Sequence, residues 1–172
     1  LPGEDGFDRN RLPLSHWFST RGLVFSRNGW GTRDALFAFN TNPLGAGNTH
    51  ADQGSFCLAA NGACFIADSG IGLDGATDHN VVFVDGQGQA QRESAVDAYI
   101  RTVESNNYAD VIDADLKLSY DREMQGEAAG PWWWREYNPV EKADRRALFV
   151  RGMCGAIIIV ADDLRKDAKK RE

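Results

Sequence analysis

His50, Asp52, Asp68 and His79 have the side chains in this sequence best suited to bind a metal or move a proton, and all four lie in polar, glycine-flanked segments beside apolar runs. The stretch Gly47-Asn48-Thr49-His50-Ala51-Asp52-Gln53-Gly54-Ser55-Phe56 turns abruptly from polar loop to strand. Asp68-Ser69-Gly70 closes the next apolar pair, and Asp78-His79-Asn80 leads into Val81-Val82-Phe83-Val84. Strand ends converge in antiparallel sheets, and two imidazoles with one carboxylate suit zinc. Two other readings of the same residues stay open. His50, Asp52 and His79 have the residue types of the facial triad of a non-haem iron oxygenase, although the short span from Asp52 to His79 is largely spent on a hairpin. In the plainest reading, Asp68 and His79 cap turns and His50 bonds a backbone carbonyl.

The elements that must position these residues read as short strands at 23–25, 35–39, 55–60, 63–67, 81–84, 108–112, 147–151 and 156–160, separated by Gly, Asn and Asp. That spacing predicts an all-β fold, an antiparallel β-sandwich or barrel. Asn61-Gly62 supplies the two positive φ angles of a type I′ turn. Counting from it pairs Ala60 with Ala63, Leu58 with Phe65, Phe56 with Ala67 and Ser55 with Asp68, which returns Asp68 to the neighbourhood of His50. The segment 94–103 fits a short helix or a strand equally well. Residues 113–120 suggest one helical turn leaving a strand, and 121–144 reads as an excursion from the sheet.

Composition narrows the function classes. A chain of 172 residues with 42% hydrophobic and 10% aromatic residues suffices for one domain with a core. Its net charge of -6 argues against a nucleic-acid partner, so a polyanion would have to meet a local basic patch. The basic residues near the end read as a solvated tail. No apolar stretch approaches the length of a membrane span, and the longest, 155–161, reads as a buried strand. Cys57, Cys64 and Cys154 form neither a disulfide framework nor a CxxC metal pattern; Cys57 and Cys64 read as buried small hydrophobes. The start shows no signal peptide and no methionine, as expected of a mature or excised piece.

The motifs around the histidines carry a resemblance. The segment 47–56, the run from Gly62 through Ala67-Asp68-Ser69-Gly70, and His79-Asn80-Val81-Val82-Phe83-Val84-Asp85-Gly86 together resemble the C-terminal β-sandwich domain of heparinase II/III-like polysaccharide lyases. The flanks are similar as well, with Gly22-Leu23-Val24-Phe25-Ser26-Arg27 as a lead-in strand and Arg145-Arg146-Ala147-Leu148-Phe149 through Ile158-Ile159-Val160-Ala161-Asp162-Asp163-Leu164 as a closing pair. The resemblance implies a lead-in segment at 1–21, the sandwich at 22–164 and a charged tail at 165–172. It also implies an N-terminal α/α toroid, or a companion chain, that is absent from these residues.

The chemistry implied by the resemblance centres on one mainly structural zinc held by His50, Asp68 and His79, with Asp52 as a supporting carboxylate. The likeness further implies β-elimination on an acidic, uronate-containing polysaccharide, with no nucleic acid or membrane as partner, and a periplasmic or secreted location. The family places a second histidine where this chain has Asn48. Asn48 can donate hydrogen bonds that neutralise a uronate carboxylate, but it cannot serve as a general base. Gly130-Pro131 precedes Trp132-Trp133-Trp134-Arg135-Glu136-Tyr137, in which Arg135 and Tyr137 are candidate substrate contacts. The isolated piece is expected to be inactive. The alternative is a non-catalytic carbohydrate-binding or structural β-sandwich.

Overall fold

The computed structural model describes residues 8–41, 50–70, 75–86, 88–89, 98–120, 140–153 and 155–166. Alternation of apolar and polar residues sets the strands: β2 (Leu23–Arg27) and β3 (Leu36–Asn40) each bury every second side chain, as does β7 (Ala109–Asp115) over most of its length. β1 (Ser15–Phe18), β2, β3, β4 (Phe56–Ala60) and β5 (Ala63–Ile66) form one sheet in that order. β6 (Tyr99–Ser105), β7, β8 (Val140–Gly152) and β9 (Gly155–Lys166) form the second. All neighbours pair antiparallel, so the expected antiparallel β-sandwich is the observed fold.

The core lies between the sheets. Val24, Phe37 and Phe39 from the first sheet meet Ile100, Ile112, Ala147 and Phe149 from the second, all of them buried. The Phe37 and Phe149 rings bridge the layers with centroids 6.4 Å apart, and burial of each such side chain stabilises the fold by about 1.5–3 kcal/mol. Polar ties join the layers at their rims. The Asn28 side chain donates to Gly155 O across the sandwich while accepting from Ala35 N. Arg151 on β8 donates to Arg27 O of β2 and pairs with buried Asp110.

Several expectations change. Asn61 and Gly62 have φ of 53° and 76°, as the turn requires, and Ala60–Ala63 and Ala59–Cys64 follow the counted register. Leu58 then faces Ile66, because a bulge leaves Phe65 unopposed. The Phe65 ring is 62% exposed and borders an open groove with Leu58, Met153 and Ile158. Cys64 is exposed and Cys57 half-buried, which corrects the reading of both as buried; Cys154 lies outside the described residues. Residues 81–83 form a loop with only a bridge at Val84, since side chains rather than a neighbouring strand take up part of this backbone. The helix-or-strand segment resolves as β6 over its described part, and the helical turn is α1 (Lys117–Tyr120). Residues 140–144 belong to β8 and not to an excursion; 121–139 lie outside the described residues. Among the described residues no helix is long and apolar enough to cross a membrane.

Candidate metal centre

Three loops at one end of the first sheet bring His50, Asp68 and His79 together. His50 lies in the loop that leads to β4, Asp68 just beyond β5, and His79 at the end of a short helical turn, Ala76–Asp78. The turn is tied to the Asp68 loop by the Ser69 hydroxyl, which donates to Asp78 O at 2.8 Å. The Asp68 carboxylate folds back on its own loop, Oδ1 accepting from Gly70 N at 2.9 Å, a local turn typical of aspartate. Its Oδ2 lies 2.9 Å from His79 Nδ1.

The His79 side chain is fully buried, and its Nε2 has no hydrogen-bond partner among the described residues. A buried polar atom left unpaired costs about 1–3 kcal/mol. Nδ1 and Oδ2 at 2.9 Å are spaced much as two ligands of one ion would be, so Nδ1 is the His79 nitrogen that can share an ion with Asp68. The His50 ring stands 5.1 Å from the His79 ring. One ligand atom from each of His50, Asp68 and His79 can be chosen so that all lie within 4.8 Å of one another. A tetrahedral zinc site with bonds near 2.0 Å has ligand–ligand edges of about 3.3 Å, so the widest of these separations exceeds such an edge by at most about 1.5 Å. The donor set and the close approach of Nδ1 to Oδ2 fit a zinc ion.

Asp52 stands beside this group. It accepts from the Asn40 amide at 2.9 Å; burial pushes its carboxyl up from the ordinary range, and the nearby His79 and His50 pull it back. It is a largely buried carboxylate beside the two histidines, held by Asn40 of β3. His16, the remaining histidine, stacks edge-on against Phe18 on β1 and is not part of the group. Asn48, Arg135 and Tyr137 lie outside the described residues.

The loop from His50 to β4 is fastened by side chains that behave like an extra strand. Gln89, buried, accepts from Gln53 N at 2.8 Å and donates to Gln53 O at 2.5 Å. Asn80 does the same for Phe56, accepting from its N at 2.9 Å and donating to its O at 2.6 Å. Tyr120 is buried and its hydroxyl donates to Val82 O at 2.8 Å, while burial pushes that hydroxyl's pKa up. Gly54 takes a φ of +81° with Leu116 directly beneath it. Arg145, whose side chain is 4% exposed, donates to both Gly54 O and Asn80 O. Sequence reading assigned no role to Asn40, Gln89 or Tyr120 and took Arg145 only as part of the closing strand pair. The available signal for Arg145 was an arginine at an inward position of an alternating strand, where an ion has to find partners.

No protein-family model matches the chain, and no curated protein does. Solved structures do match in fold. A mutant heparan sulfate lyase from Pedobacter heparinus superposes with a TM-score of 0.65 and 19% identity over 90% of this chain and 22% of that one. A heparinase III matches with a TM-score of 0.58 and 16% identity over 90% of this chain and 23% of its own. Another heparinase III structure, with methylated lysines, matches with a TM-score of 0.62 and 17% identity over 90% of this chain and 22% of its own. The chain thus spans about a fifth of the length of these structures, and at such identities what they share with it is the fold.

Proposed function

We propose that this chain is the C-terminal β-sandwich of a polysaccharide lyase that acts by β-elimination on a uronate-containing polysaccharide, and that it holds one mainly structural zinc through His50, Asp68 and His79. The observation that carries the reading is the clustering of His50, Asp68 and His79, with His79 Nδ1 2.9 Å from Asp68 Oδ2, in a fold shared with heparan sulfate lyases. Zinc at this position would supply fixed positive charge that draws the three loops together. The residues of the chain do the rest: Asp52, held by Asn40, supports the histidines, and Gln89 and Asn80 hold the backbone between them.

Elimination begins by removing a proton next to a carboxylate. That proton is weakly acidic, so hydrogen-bond donors must neutralise the carboxylate as charge develops, and a positioned base must take the proton. Asn48 is assigned the first task, with Arg135 and Tyr137 contacting the sugar. The base belongs to an N-terminal α/α toroid or a companion chain. This chain alone leaves uronate polymers uncut, and its setting is periplasmic or secreted. Asn48, in place of the family's histidine, favours one second reading, a sandwich that binds carbohydrate without turnover.

The test is elemental analysis of the purified chain together with zinc titration of the wild type and of His50→Ala. One zinc per chain, lost in the variant, supports the metal reading; no stoichiometric metal defeats it. An upstream coding sequence for a helical toroid favours the lyase over the binding module.

A further inference from the structure

We infer that Arg145 is a positioning residue of the metal centre, fixing the distance between the loops that carry His50 and His79; this rests on the zinc reading above. Arg145 belongs to β8, in the sheet opposite the one that carries the site. Its Nη1 donates to Gly54 O at 2.7 Å and to Asn80 O at 2.9 Å. Gly54 follows His50 by four residues in the loop that leads to β4, and Asn80 directly follows His79. One guanidinium nitrogen therefore bridges the two histidine loops. The fork is oriented from the other side by Asp162, whose carboxylate accepts from Nε at 2.6 Å and from Nη2 at 3.1 Å, and the Phe56 ring lies 5.9 Å from the guanidinium carbon.

The physical case rests on two features. A guanidinium has donors in a rigid plane, so pairing with Asp162 fixes where Nη1 points. A lysine offers a point charge without that fork. The metal group also lies close to closure, so a loop shift on the order of 1 Å is comparable to the whole remaining movement. Groups that orient metal ligands typically change affinity by about 10–100-fold when removed.

Arg151 provides the internal control. It lies further along the same strand, with its side chain 6% exposed, and it too ties backbone across the sandwich, donating to Arg27 O and Asn106 O at 2.8 Å each and pairing with Asp110. None of those partners belongs to a histidine loop.

The experiment uses the full chain as wild type, Arg145→Met, Arg145→Lys and Arg151→Met, each checked for folding by circular dichroism. Zinc affinity is measured against a competing chelator, and cobalt(II) spectra report the ligand geometry. Arg145→Met should bind zinc about 10–100-fold more weakly with an altered cobalt spectrum, and Arg145→Lys should fall between it and the wild type. Arg151→Met should melt lower yet keep wild-type affinity and spectrum. If Arg145→Met does not fold, Arg145→Lys decides by the same comparison. Wild-type affinity and spectrum in folded Arg145 variants would overturn the inference while leaving the zinc reading intact. Failure of the wild type to bind either ion would instead defeat the zinc reading itself.

Discussion

Replacing His79 by phenylalanine separates the metal's contribution to stability from that of the apo fold. In the apo chain the two expected changes oppose each other. The substitution removes the buried, unpaired Nε2, which relieves about 1–3 kcal/mol. It also removes the Nδ1 contact to Asp68, a hydrogen bond to a carboxylate worth about 1.5–3 kcal/mol. The phenyl ring is larger than imidazole by more than one methylene, so overpacking of this buried position adds a cost of about 1–3 kcal/mol and the apo variant should melt several degrees below the apo wild type. With zinc the two diverge. Free metal at a hundredfold excess over Kd stabilises the wild type by about 2.7 kcal/mol, which is roughly 5–11 °C in Tm for a domain of this size. The variant keeps no more than a small part of that increment. Differential scanning calorimetry in chelator and in buffered zinc reads both differences. An equal zinc-dependent rise in the two proteins would refute the assignment of His79 as a ligand.

Phe149→Ala should destabilise the chain by about 3–5 kcal/mol in denaturant melts, because Phe149 is 1% exposed and packs against Phe37 across the layers. Gly54→Ala places a methyl at a φ of +81° and 2.6 Å from Leu116 Cδ1, so it should cost more than about 1 kcal/mol and weaken zinc binding as the His50 loop shifts; unchanged values of both would contradict the packing. The side-chain hydrogen bonds from Arg101, and secondarily from Arg146, hold the Asp113 carboxyl below its ordinary range. A lowered folded pKa gives stability that is present above the unfolded value, about 3.9, and is lost as pH falls through the folded value. Asp113→Asn should therefore flatten the stability profile below about pH 4 and leave its slope near neutrality unchanged, as read by urea melts across pH.

The strands were legible where alternation was clean, as in Leu23–Arg27 and Leu36–Asn40, because a sheet with one buried face imposes a period of two. The turn at Asn61-Gly62 was legible for an equally local reason, its positive φ angles. The register beyond it was not: a bulge at Leu58 and Ala59 shifts the pairing. Counting from a turn assumes one residue per rung, and packing of Phe65 at the groove edge lies outside that count. The 81–84 run has strand-forming residues but lacks a neighbouring strand for most of its length; Asn80 O, just before it, and Val82 O, within it, are taken by Arg145 and Tyr120.

By itself, the sequence determined which side chains could chelate and that Asp68 follows the Asn61-Gly62 hairpin, because residue type and turn chemistry are properties of neighbours in the chain. Tertiary structure alone decided that Asp68 meets His79 directly, that Nε2 is buried with no partner among the described residues, and that Arg145 of the opposite sheet closes on Gly54 and Asn80. Those facts depend on which backbone carbonyls one sheet leaves unpaired and which side chain of the other lies within about 3 Å of them, a coincidence of distant segments that no local pattern records.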